Sequence, residues 1–286
     1  MVLQAILSRK TNKVKVLLDN CILTGAELAD RALKEKTIVW GDICETISEP
    51  GYKKKNYKDA SYQKEVDALV TIGRLIREGT IEAFTYSELD FESFRRSSPL
   101  KEFNALNNCP VSRCAAPIER SKFRKTIDFS GYVSKGGKKD KQKDFEISEF
   151  SQVSFVKWLL QLHESVIRSI VSHHVELGLT DFEVKSFEQL KWFKFVCRRS
   201  GSSENYPDVF HLWAAERNGI DVFLTLEQRL PNIVNQIKQS NQRAHQVRTS
   251  VLRPVEFLTS IGIDKFDDPP IEAGKFYSFM DGTVDA

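Results

Sequence analysis

Tyr206-Pro-Asp-Val-Phe-His-Leu-Trp-Ala-Ala-Glu-Arg-Asn-Gly-Ile-Asp-Val-Phe-Leu-Thr-Leu-Glu-Gln-Arg-Leu230 compresses three structural elements into 25 residues. Pro207 suits the first position of a helix, Asp208 complements the positive end of its dipole, and Asn218-Gly219 closes it. Ile220 to Leu224 then reads as a buried strand that ends at Thr225, and Glu227 follows two residues later, opening a helix that runs through Ile237. One acid therefore begins a helix and another lies just past a strand's carboxyl end.

The same grammar extends outward in both directions. Upstream, Lys13 to Leu18 is a short strand that stops at Asp19-Asn20, and Thr24-Gly-Ala-Glu27 has capping-box spacing ahead of Leu28, Ala29, Ala32 and Leu33, predicting a helix there. Thr37 to Trp40 reads as a further short strand, and Gly51 to Lys58 as a loop with no assigned shape. Val66, Leu69, Val70, Ile72, Gly73, Leu75 and Ile76 form one apolar helical face ending at Gly79. Thr80 to Phe84 alternates as a strand, and a helix begins near Thr85 with Glu88 in its first turn. Downstream, Val153 to Leu177 predicts one long amphipathic helix and Phe187 to Cys197 another. Val247 to Leu252 reads as a strand and Arg253 to Gly262 as a proline-initiated, glycine-capped helix. Alternating strands and helices predict an α/β fold, a three-layer sandwich with a central, mainly parallel sheet whose ligands bind beyond the strands' carboxyl ends.

Across 286 residues, 41% hydrophobic and 28% charged side chains match a globular chain able to bury a core. No run approaches the roughly 18 apolar residues of a membrane-spanning helix, so no membrane association is expected. Val2 to Leu7 precedes Arg9, Lys10 and Lys13, the reverse of a secretory leader. Five cysteines are too few and too odd for a disulfide scaffold, which points to a reducing cytoplasm. Cys109 and Cys114 have no second ligand pair for zinc nearby.

The net charge of +3 conceals a division. Arg95 to Lys143 holds 13 Lys and Arg against 4 Asp and Glu, a local +9 that leaves −6 for the remainder. This stretch is rich in glycine, serine and proline and reads as an insertion. The chain accordingly divides into a core of 1–97, a basic inserted loop region of 98–150, the second part of the core at 151–263 and a C-terminal tail of 264–286. Arg95, Arg96, Lys122, Arg124, Lys125, Lys135, Lys138 and Lys139 are the candidates for binding phosphates, with Phe123, Phe129 and Tyr132 available to stack on bases; a solvated linker is the competing reading.

Asp19, Glu88, Asp208 and Glu227 are each explicable as a turn former or helix cap. Together at the carboxyl ends of a parallel sheet they would repel one another unless a cation intervened, and an oxygen-only donor set selects Mg2+ or Mn2+. His163, His173, His174 and His211 show no convincing catalytic partner in the sequence. A phosphatase built on paired aspartates would need an acid at position 21, which is Cys21, and a dinucleotide site would need more glycines than Asn20-Cys-Ile-Leu-Thr-Gly25 supplies.

These segments resemble the PIN-domain nucleases at both ends of the chain. Val16-Leu-Leu-Asp-Asn-Cys-Ile-Leu23 is similar to the family's opening strand with its first aspartate; Glu88 matches the glutamate of the helix after the second strand. The segment from Pro207 to Gly219 resembles the penultimate motif, Phe223-Leu-Thr-Leu-Glu227 the closing Thr-x-Asp, and Arg253-Pro-Val-Glu-Phe-Leu258 the terminal helix. The chain departs in carrying Glu227 for aspartate, in the 120 residues from Glu88 to Asp208, and in offering Asp90 or Glu92 as alternatives to Glu88. The resemblance implies a metal-dependent phosphodiester hydrolase, an endoribonuclease by preference. Asp19, Glu88, Asp208 and Glu227 would hold Mg2+ or Mn2+, and Asn20 and Thr225 would orient water. RNA is the expected partner, with single-stranded DNA as a second substrate and an inhibitory protein as a further partner. A catalytically inactive PIN-like module that binds nucleic acid or protein is the alternative.

Overall fold

The computed structural model describes residues 13–93, 103–123, 151–239, 247–279 and 284–285. In chain order the strands are β1 (Val14–Leu18), β2 (Ala29–Trp40), β3 (Ile43–Lys54), β4 (Ile81–Thr85), β5 (Val111–Arg113), β6 (Val222–Leu224), β7 (Ser250–Leu252), β8 (Phe276–Ser278) and β9 (Val284–Asp285). The helices are α1 (Asn20–Gly25), α2 (Ala60–Arg77), α3 (Ser87–Ser93), α4 (Gln152–Gln161), α5 (Glu164–Ser172), α6 (Asp181–Glu188), α7 (Leu190–Arg199), α8 (Tyr206–Arg217), α9 (Arg229–Gln239) and α10 (Pro254–Ser260).

A five-stranded sheet ordered β5-β4-β1-β6-β7 is parallel throughout. Its pleat sends alternate side chains to opposite faces, as strand geometry requires. Leu17 and Phe223 join a core with α4, α7 and α8, where Phe155, Phe193, Phe210 and Trp213 pack together. Val16, Leu18, Val222 and Leu224 join a second core against α2 and α10. The expected layered α/β architecture is present. A second, antiparallel sheet ordered β2-β3-β8-β9 stands apart from it.

Several local expectations change. The helix predicted after Thr24 is instead the start of β2, a twelve-residue strand paired along its whole length with β3 from Ala29↔Lys54 to Trp40↔Ile43. Four apolar residues at helical spacing are outweighed by the β-branched run Thr37-Ile38-Val39 and by a two-residue turn in which Gly41 takes a φ of 60°. Asp19, rather than Thr24, caps the short α1, and the Thr24 hydroxyl bonds back to the Asn20 carbonyl. The long helix predicted from Val153 divides at Leu162-His163, where Leu162 turns to an extended ψ of 122° and its carbonyl accepts a bond from Lys194 Nζ. The helix expected over Phe187 to Cys197 is likewise two helices, α6 and α7, meeting at Gln189.

The described parts of the supposed insertion and tail belong to the folded body. Residues 103–123 supply β5, the edge strand of the parallel sheet, together with buried Ala105, Ile118 and Phe123. Beyond residue 263, Asp267 pairs with Arg74 at 2.8 Å, Ile271 and Phe276 are buried, and β8 pairs with β3. Among the described residues no helix is long and apolar enough to cross a membrane.

Candidate functional site

From β1 the chain moves outward through β4 to β5, then returns to lay β6 and β7 on the other side. The crevice between the carboxyl ends of β1 and β6 is therefore the topological switch point, the place where open α/β sheets take their ligands. Asp19 lies one residue past β1 and Thr225 one residue past β6.

The buried Asp19 carboxylate is held from several sides. Its Oδ1 accepts from the Asn20 backbone N–H at 2.7 Å, and its Oδ2 accepts from the Thr225 hydroxyl at 2.7 Å and the Cys21 thiol at 2.9 Å. Burial, and next the adjacent Asp19 charge, push the Cys21 thiol well above its ordinary range, so it remains a protonated donor. The Thr225 hydroxyl also accepts from the Glu227 backbone N–H at 3.1 Å, which links both strand ends to one carboxylate.

The three acids of α3 go to different places. Glu88, only 2% exposed, meets Arg120 through two contacts, from Nε at 3.1 Å and Nη2 at 2.9 Å. Asp90 pairs with Arg113 at 2.6 Å. Glu92 turns to the crevice, where it accepts from Asn20 Nδ2 at 2.7 Å and lies 3.2 Å from His211 Nε2. The middle acid of the crevice is therefore Glu92, and Glu88 is the carboxylate of a separate ion pair. Asn20 serves as a bridge between α1 and Glu92, and Thr225 as a clamp on Asp19.

His211 acquires the partners that the sequence did not disclose. It is fully buried, with Tyr86 Oη 2.6 Å from its Nδ1. Burial alone would lower its pKa, but the bond to Glu92 and the charges of Glu92, Asp19 and Asp208 raise it above the ordinary histidine value. As an imidazolium it would donate from both nitrogens, to Tyr86 and to Glu92. The signal was present in the spacing: His211 is three residues after Asp208 and shares its helical face.

Asp208 differs from Asp19 in having no hydrogen bond or ion pair among the described residues. Burial pushes its pKa up to about 6; His211 opposes that rise, while Asp19, Glu227 and Glu92 add to it. Glu227 is exposed at the rim. Four carboxylates thus share one electrostatic neighbourhood with one histidine.

No protein-family model, no curated protein and no solved structure matches this chain.

The site must accordingly be judged on its own chemistry. Among the described residues, no group of three or more His, Cys, Asp and Glu side chains is gathered closely enough to hold a metal ion by protein atoms alone. The donor type nevertheless suits Mg2+, which keeps several waters and is usually held by only one or two carboxylates. Asp208, half-buried, with a pKa of about 6 and no partner among the described residues, is the observation that such an ion fits.

Of the candidate phosphate-binding residues, Lys122 is spent: its ammonium lies 2.5 Å from Glu183 and 2.7 Å from the Gly178 carbonyl. Arg95, Arg96, Arg124, Lys125, Lys135, Lys138 and Lys139 lie outside the described residues, as do Phe129 and Tyr132. Phe123 is buried against Phe155 and Trp158, unavailable for stacking on a base.

Proposed function

We propose that this protein is a metal-dependent nuclease of PIN-like type, an endoribonuclease by preference, with Asp19, Glu92, Asp208 and Glu227 around its active crevice. The reading rests on one observation above all: Asp208 is half-buried beside like charges at the sheet's switch point, with no hydrogen bond or ion pair of its own among the described residues and His211 opposing those charges from nearby. Bound Mg2+ or Mn2+ would supply charge neutralisation of the phosphodiester and activation of water. Thr225 and Cys21 fix the Asp19 carboxylate by donating to one oxygen. Tyr86 and Asn20 orient His211 and Glu92. Asp208, half-buried, and Glu227, exposed, would remain to meet the ion. Arg124, Lys125, Lys135, Lys138 and Lys139 would attract RNA or single-stranded DNA, an attraction that weakens steeply with salt. A reducing cytoplasm, where RNA substrates and free thiols coexist, is the proposed setting.

The test is cleavage of labelled RNA with Mn2+ or Mg2+, comparing the wild type, Asp208→Asn and a chelator control. Cutting that requires the metal and disappears in the variant supports the nuclease. A second reading is a non-catalytic module that binds nucleic acid or a protein partner, since among the described residues no three metal donors are gathered. RNA binding without cutting, undiminished by Asp208→Asn, would establish that reading instead.

A further inference from the structure

A guanidinium can grip an oxyanion with two parallel N–H bonds, and this molecule contains one such edge that is filled and an equivalent one that is open. In Arg120 the Nε and Nη2 edge is closed by Glu88. In Arg253 the same two nitrogens are buried without a hydrogen-bond partner among the described residues. Its remaining nitrogen, Nη1, is held only by Glu65 at 3.4 Å. The other Glu65 oxygen accepts from the Val255 backbone N–H at 2.8 Å, which ties that carboxylate to the start of α10.

Arg253 stands one residue past β7, on the same carboxyl edge as the crevice. The Leu252 carbonyl beside it accepts from the Thr225 backbone N–H at 3.1 Å, and the Thr225 hydroxyl bonds to Asp19. Tyr62, in the first turn of α2, senses both sides: burial raises its pKa first, the Glu227 charge adds to the rise, and Arg253 opposes it. A fixed positive charge with two unspent donors therefore borders a crevice lined with carboxylates. Leaving two donors of a buried cation unbonded is unfavourable, and an apolar side chain would avoid that penalty.

We propose that Arg253 is a phosphate-gripping residue, its Nε and Nη2 taking the non-bridging oxygens of one backbone phosphate of a nucleic acid laid across the crevice; this rests on the nuclease reading. The side chain is 15% exposed and its Nε and Nη2 are buried, so the grip requires that edge to turn outward; the polar contact this would disturb is the long one to Glu65. Arg120, clamped through both nitrogens, lacks that freedom.

The experiment measures binding of a fluorescent ten-nucleotide RNA to the full chain in chelator, across a salt series, for the wild type, Arg253→Met and Arg253→Lys, with melting temperatures recorded in parallel. Arg253→Met should bind about tenfold more weakly at low salt, with a log–log salt slope smaller by about 0.7, while melting no lower than the wild type. Arg253→Lys should keep the wild-type slope but lose affinity, because it retains the charge and not the fork. Equal affinity and slope for the wild type and Arg253→Met would overturn the assignment while leaving the metal-dependent nuclease intact. An RNA that fails to bind even the wild type would overturn both.

Discussion

The seam around Arg120 and the crevice around Asp208 treat carboxylates in opposite ways. At the seam, Glu88 meets Arg120 and Glu183 meets Lys122, so each acid has its own cation. In the crevice, Asp19, Glu92 and Asp208 share one buried histidine, and for Asp208 burial and the charges of Asp19, Glu227 and Glu92 outweigh it. At the seam, Glu88 and Glu183 each have a base beside them. On the proposed reading, the unequal arrangement at the crevice would be met by a cation from outside.

The comparison can be broken most forcefully at the seam. Glu88→Ala removes the paired carboxylate from Arg120, which is only 12% exposed, and should cost about 3 kcal/mol in urea unfolding, since breaking a buried pair is strongly destabilising. If that loss is under about 1 kcal/mol, the seam is not structural in the sense described.

At the crevice the sign reverses. The folded Asp208 has a pKa of about 6 against an ordinary value of 3.8, so the native state binds the proton more tightly than the unfolded state does. The penalty is absent below about pH 4, grows as pH rises and is complete above pH 6. Asp208→Asn should therefore raise metal-free stability at pH 7.5 by about 1–3 kcal/mol, an advantage that vanishes near pH 4. A destabilised variant at pH 7.5 would mean that Asp208 has a partner after all.

Two smaller effects sharpen the contrast. Lys122→Ala should cost about 1–2 kcal/mol by exposing Glu183 to desolvation, yet leave RNA affinity unchanged in a fluorescence titration. At the tip of the β2–β3 hairpin, Trp40 is 85% exposed, and Trp40→Ser should change the urea midpoint by an amount equivalent to less than about 0.5 kcal/mol.

The parallel sheet was legible because its strands are short apolar runs that end abruptly at polar residues, as at Leu18-Asp19 and Leu224-Thr225. The hairpin was hidden because Leu28, Ala29, Ala32 and Leu33 mimic a helical stripe, and only pairing with a distant partner strand decides between the two periodicities. Asp19 and Asp208 could be read from position along the chain. Glu88 and Glu92 are both on α3, one turn apart, and which enters the crevice depends on Arg120, a residue 32 positions beyond Glu88 that no local pattern connects to it. The lysine and arginine run announced a charge excess, but its described members Arg113, Arg120 and Lys122 are bound to core carboxylates.

The most direct test of the cation site is the melting temperature of the full chain at pH 7.5 and pH 5 with and without Mn2+, for the wild type and Asp208→Asn. A site built on the uncompensated Asp208 predicts a Mn2+-dependent rise at pH 7.5 that shrinks at pH 5, where the carboxyl is largely protonated, and is lost in the variant. An equal rise in the variant, or none in the wild type at either pH, would contradict the account.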